Sequence, residues 1–142
     1  MKRSAALAAL SRDHHQALVV AQQLRRVDAG GRAQARMRFL SFWTEHGERH
    51  FRLEEEILLP GYARYGDARH PLVQRVLVDH VAIRVRAGGL AADPDVDVEA
   101  LRELGERLAA HVRLEERELF PMIEEVMPPD ELRALAEALD RS

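Results

Sequence analysis

Residues 50–60 read HFRLEEEILLP, and residues 111–121 read HVRLEERELFP. The two stretches share His, Arg, Leu, Glu, Glu, Leu and Pro at seven of eleven offsets. A repeated surface helix, a repeated core pattern or a two-fold metal site would each produce such a repeat, and helical phase separates them. Core-facing positions recur at offsets of three, four and seven. From His50 these offsets reach Phe39, Trp43, His46, Leu53, Glu54 and Ile57; from His111 they reach Leu104, Leu108, Leu114, Glu115, Leu119 and Met122. In both helices a His, and a Glu one turn later, interrupt an otherwise apolar stripe. A spacing of four puts the two side chains on one face, within reach of one centre. A buried carboxylate is costly unless it is paired or bound to a metal.

Outward from the repeat, the chain divides into helices. The first is expected over Ser4 to Val27, with a break near Ser11, ending at Asp28-Ala29-Gly30-Gly31. The second runs from about Arg32 to Leu59 and stops at Pro60-Gly61. Pro71 suits the first turn of a third helix, which ends near Arg86 before Gly88-Gly89. Asp97 caps a fourth, over about Val98 to Val126, which Pro121 kinks or interrupts. Pro128-Pro129-Asp130 opens a short fifth helix to about Leu139. No segment alternates with the period of a strand. The expected fold is all-α: an up-down-up-down four-helix bundle with a short C-terminal helix, one domain over residues 1–142. In that topology the two repeat-bearing helices run parallel, so matching residues meet at similar depth.

The remaining helices supply further inward histidines. His80 is phased with Val73, Val76, Leu77, Ile83 and Ala87. On the first helix His14 and His15 compete. His14 shares its face with Leu7, Leu10, Ala17, Leu18, Ala21 and Leu24, a cleaner apolar set than that of His15, so His14 is the expected inward residue. One inward imidazole is commonly just a hydrogen-bonded core residue. Four, with two carboxylates in phase, point to a metal site. Nitrogen and oxygen donors without sulfur suit iron, manganese or zinc.

Composition narrows the classes further. The chain has 142 residues, seven His and no Cys, which removes disulfides, Cys-ligated zinc and thiol catalysis. The net charge is −3 with no single-sign block, so no nucleic-acid surface is expected. The opening MKRSAALAALSRDHH is too soon interrupted by charge for a signal peptide or membrane helix. A cytoplasmic protein is the expectation, with no membrane partner and no protein partner named by the sequence.

Asp13-His14, HFRLEEEILLP, Asp79-His80-Val-Ala-Ile-Arg and HVRLEERELFP together resemble the hemerythrin-like (HHE cation-binding) family, over about Leu7 to Leu139. Ferritin-like di-iron proteins use a Glu-x-x-His spacing, which occurs nowhere in this chain. The resemblance implies a non-haem di-iron centre in a four-helix bundle, with two carboxylate-bridged irons per chain. It implies His14, His50, His80 and His111 as terminal ligands and Glu54 and Glu115 as bridges. Oxygen-carrying members have a fifth histidine four residues before the position of His80, where this chain has Val76. His46 could substitute for it or hydrogen-bond nearby. Glu55 points about 100° away from Glu54 and is a weaker candidate ligand.

Other residues take plainer readings. His70 is expected at a helix start, Trp43, Phe39 and Phe42 in the core, and Tyr62 and Tyr65 in an exposed loop. Arg52 and Arg113 are expected in surface ion pairs. Three functions fit: a module binding or sensing dioxygen, nitric oxide or iron; a di-iron enzyme handling peroxide or another small oxidant; and a bundle with structural zinc or no metal.

Overall fold

The computed structural model describes residues 3–142. Helix α1 is Ala5–Arg25, α2 is the continuous helix over 32–63, α3 is Pro71–Ala92, α4 is the continuous helix over 98–126, and α5 is Pro129–Asp140. No strand occurs among the described residues. The first four helices form the bundle, and α5 packs across one end against α1 and the far part of α2.

The ends follow capping chemistry. Asp97 accepts from the Ala100 amide at the start of α4, as expected. Asp28 accepts from Gly31 and ends the α1–α2 connection in a short 3₁₀ turn, Ala29–Gly31. His70 takes the N-cap position of α3, its ring nitrogen accepting from the Leu72 amide. The expected break at Ser11 is absent; α1 is unbroken and the Ser11 hydroxyl donates to Glu116 instead. α3 also runs past its expected end, through Gly88 and Gly89 to Ala92.

Neither proline of the repeat stops its helix. α2 passes Pro60 and continues to Ala63, and α4 passes Pro121 to Val126. The reason is a π turn before each, Glu54–Leu58 and Glu115–Leu119. The Leu59 amide bonds back five residues to the Glu54 carbonyl, and the Phe120 amide to that of Glu115. The extra residue widens the turn, so the missing amide and bulky ring of the next residue, proline, are accommodated. A third π turn, Trp43–Gly47, lies one turn before His50.

Each π turn also advances the buried stripe by one position. Beyond Glu54 the fully buried residue is Leu58, with Ile57 only partly buried; beyond Glu115, Leu119, Phe120 and Ile123 are fully buried and Met122 is not. Tyr62, expected in an exposed loop, is carried into the core at 2 % exposure. Its hydroxyl donates to the Asp67 carbonyl, while Tyr65 is exposed as read. Phe39 and Phe42 are buried and Trp43 half-buried. Arg52 and Arg113 are exposed, but neither forms an ion pair among the described residues.

The core falls into two apolar clusters. One holds Leu7, Leu10, Leu58, Val76, Leu119 and Phe120 and is closed by Leu132, Leu135 and Leu139 of α5. The other holds Ala21, Leu24, Phe39, Phe51, Ile83, Leu101, Leu104 and Leu108. α1 and α4 are in close contact at Gly105, where a Cβ would lie 2.7 Å from the Ala21 carbonyl oxygen. A band of polar side chains separates the two clusters.

Candidate metal centre

That band consists of His14, His50, Glu54, His80, His111 and Glu115, the buried polar residues of the described chain. All are at most 6 % exposed. α1 brings His14, α2 brings His50 and Glu54, α3 brings His80, and α4 brings His111 and Glu115. They are the six expected inward residues. His15 is exposed, so the choice of His14 agrees with the structure.

The six side chains make two four-membered donor sets. One is His14, His50, Glu54 and Glu115; the other is Glu54, His80, His111 and Glu115, with donor atoms in each set within 4.8 Å of one another. The two carboxylates divide their oxygens. Glu54 Oε2 lies 3.1 Å from His50 Nε2, and its Oε1 lies 3.0 Å from His80 Nε2. Glu115 Oε1 lies 2.8 Å from His14 Nε2, and its Oε2 lies 3.2 Å from His111 Nε2. Each carboxylate therefore joins one set to the other.

The outward nitrogens are equally ordered. His14 Nδ1 meets Glu116 at 2.6 Å, His80 Nδ1 meets Glu55 at 2.6 Å, and His50 and His111 meet Asp13 and Asp79 at 3.1 Å each. Four imidazoles thus have four carboxylates behind them. A carboxylate there accepts the Nδ1 proton, fixes the ring and directs the Nε2 lone pair inward. The pattern has two-fold pseudo-symmetry. Asp13-His14 on α1 matches Asp79-His80 on α3, and His50-x-x-x-Glu54-Glu55 on α2 matches His111-x-x-x-Glu115-Glu116 on α4. Two rings stack on the imidazoles, Phe51 on His80 at 3.8 Å and Phe120 on His14 at 5.2 Å between centroids.

The outer carboxylates are themselves anchored. Arg84 holds Glu55 with two hydrogen bonds of 2.8 and 2.9 Å. Ser11 donates to Glu116 at 2.8 Å, and Arg3 reaches the Glu116 carbonyl oxygen. Glu55, read as a weak ligand candidate, belongs to neither donor set and instead orients His80. His46 also departs from expectation. The Trp43–Gly47 π turn takes its place on the inward face away and gives it to Gly47, leaving His46 exposed, outside both donor sets. Val76 is wholly buried within the apolar cluster at the fifth-histidine position, so each set has two imidazoles. The signal missed in the sequence was adjacency: both Asp-His pairs and both Glu-Glu pairs repeat, and the outer member of each pair orients a histidine.

Electrostatics and hydrogen bonding both match a cation. Burial drives His111 and His80 toward the neutral form. Glu115, Asp79 and Glu54 outweigh it at His111, holding it up at about 10, and Glu115 and Glu54 hold His80 at about 9. His14 and His50 are raised by the same competition. Burial opposes the Glu115 charge, but His111 and the other imidazoles hold its carboxyl well below the usual range. The site thus collects positive charge from protons where metal ions would supply it. Four of its buried atoms, Glu54 Oε1, His80 Nε2, His111 Nε2 and Glu115 Oε2, make no hydrogen bond of good geometry despite the 3.0 and 3.2 Å contacts between them. All four belong to the second donor set and converge on one point. In the first set, His14 and His50 bring their Nε2 atoms to 3.1 Å, an arrangement suited to two lone pairs sharing one cation. The residues fit bound metal.

A cavity of about 20 Å³ adjoins His14, His50 and His111 and is walled by Ala17, Phe42, Trp43, Phe51, Leu108 and Val112. It has the size of one small guest. No helix among the described residues is long and apolar enough to cross a membrane.

Comparison with known proteins agrees with this geometry. The family model described as the hemerythrin HHE cation binding domain matches residues 5–123. Neither the curated proteins nor the solved structures gave a match. A match spanning α1 to α4 and every member of both donor sets places the chain in the hemerythrin HHE cation-binding domain family.

Proposed function

We propose that the two donor sets hold a carboxylate-bridged pair of irons, and that the protein binds or senses a small diatomic molecule, dioxygen or nitric oxide. The observation that carries this reading is the division of the Glu54 and Glu115 oxygens between the two sets. Bridging two cations requires that division, and a single cation would not. In this reading His14 and His50 are terminal ligands of one metal, and His80 and His111 of the other. Iron held there supplies reversible electron transfer and coordination of a diatomic ligand.

The chain's own residues do the rest. Asp13, Asp79, Glu55 and Glu116 keep the Nδ1 protons and so keep the Nε2 lone pairs available. The apolar cavity beside His14, His50 and His111 admits a small guest and limits water. With Val76 in place of a fifth imidazole, both metals have the same number of protein donors, which favours binding or sensing over oxygen carriage.

The test is the optical spectrum of iron-loaded protein, reduced, then exposed to dioxygen or nitric oxide. A reversible, stoichiometric absorbance change is expected. Sustained turnover of peroxide would replace this reading with an oxidant-consuming enzyme. Zinc as the stoichiometric metal, with no ligand-dependent spectrum, would replace it with a structural site.

A further inference from the structure

The two donor sets share their carboxylates but differ in what holds them from outside. Arg84 lies one turn after His80 on α3. Its guanidinium bonds both Glu55 oxygens, at 2.8 and 2.9 Å, and Glu55 Oε2 lies 2.6 Å from His80 Nδ1. The same guanidinium lies 5.7 Å from the centre of the Phe51 ring, which stacks on the His80 imidazole at 3.8 Å with 7° between the planes. A two-pronged arginine–carboxylate pair fixes orientation as well as position. His80 is thus held at its edge by Glu55 and on its face by Phe51, with Arg84 behind both.

The other set has the same parts, more loosely joined. By the match of α1 to α3, Leu18 stands where α3 has Arg84. The arginine comes instead from before α1. Arg3 lies 5.3 Å over the Phe120 ring, which stacks on His14 at 5.2 Å. Its closer bonds go to Glu124 at 2.7 Å and to the Glu116 carbonyl oxygen at 2.6 Å, and it meets the Glu116 carboxylate only at 3.4 Å. That carboxylate is positioned by the neutral Ser11 hydroxyl.

The inward atoms differ in the same direction. In the first set His14 Nε2 hydrogen-bonds Glu115 Oε1 at 2.8 Å, and His50 Nε2 hydrogen-bonds Glu54 Oε2 at 3.1 Å. In the second set the four facing atoms make no hydrogen bond of good geometry. A cation entering the first set must replace bonds already made. One entering the second meets buried donors with none to give up, and buried polar atoms without partners are costly.

Taking the two sets as two metal positions, as above, we propose that the set of His80 and His111 is the tighter and fills first, with Arg84 as the positioning residue that makes it so. Arg84 touches no metal donor directly; it acts through Glu55 and Phe51 on the His80 ring.

Two cations sharing carboxylates repel, so the sets are best compared singly, with cobalt(II) as the probe and a chelator as competitor. His14→Ala leaves the second set whole, and His111→Ala leaves the first. The site kept in His14→Ala should bind cobalt at least about tenfold more tightly than the site kept in His111→Ala. Adding Arg84→Gln should weaken cobalt binding about 10–100-fold in the His14→Ala chain and leave it unchanged in the His111→Ala chain. Arg84→Lys, which keeps the charge with one prong, should fall between. Helical circular dichroism should persist throughout. Equal or reversed affinities, or no binding by His14→Ala, would overturn the order of filling. An Arg84→Gln effect of the same size in both chains would overturn the role of Arg84, since general loosening of the bundle would act on both. A parent chain that takes up one cobalt, kept in His14→Ala and lost in His111→Ala, would overturn the paired-metal reading and still bear out the preference for the second set.

Discussion

Each imidazole in the core has an inward nitrogen aimed at a shared carboxylate and an outward nitrogen aimed at its own. The roles of individual residues therefore separate in experiment. Replacing His14 or His50 with Ala removes a donor from one set only, and metal content should fall by one ion per chain. Replacing Glu54 or Glu115 with Ala removes a donor from both sets, and both ions should go. Elemental analysis of the variants reads the difference. The outer carboxylates act through the rings. Glu55→Gln and Asp79→Asn should weaken metal binding by about 10–100-fold without unfolding the chain. Competition with a chelator measures this. Asp13, Asp79, Glu55 and Glu116 were visible in the sequence only as neighbours of stronger candidates. Their role depends on which helix each faces across the bundle, which local spacing does not encode.

At the scale of helices, the phase of His14, His50, His80 and His111 was legible because each sits in an α-helical turn, although π turns flank His50 on both sides and follow His111. Beyond the two Glu residues Leu119 was read correctly but Ile57 and Met122 were not, because a π turn inserts one residue into the repeat without an unambiguous local signature. Pro60 was visible as a stop and Pro121 as a kink or interruption, but their actual place is just after a widened turn. The same effect at Trp43–Gly47 misplaces His46. The expected end of α3 at Gly88-Gly89 failed for a different reason: those glycines stay helical. Close packing of α1 on α4 depends on Gly105. Gly105→Ala drives a methyl toward the Ala21 carbonyl and the Leu24 side chain. Overpacking of this kind should cost about 1–3 kcal/mol, seen as a lower denaturant midpoint.

For the whole molecule, two apolar clusters are joined across a charged layer, so stability depends on what neutralises that layer. Without metal, protons do so. His80 and His111 are held at about 9 and about 10, against 6.5 in the unfolded chain. Their contribution is fully present below pH 6.5 and is lost as pH rises through 9 to 10. Glu115 is shifted the other way, from 4.5 downward, so its contribution is present above that value and is lost on stronger acidification. The metal-free protein should therefore lose melting temperature steadily from neutral pH to about pH 10, while the metal-loaded protein changes less. Thermal melts of both forms across that range test the sign. Metal uptake at neutral pH should also release protons, at least those of His80 and His111, whose Nε2 atoms exchange protons for cations. Calorimetry in buffers of different ionisation enthalpy counts them.

The most direct test of the proposed dinuclear centre is metal stoichiometry after loading with ferrous iron and removal of excess. Two ions per chain are expected, falling to none in Glu54→Ala while the helical circular dichroism persists. One ion per chain, or a content unchanged by Glu54→Ala, would contradict a centre built on two shared carboxylates.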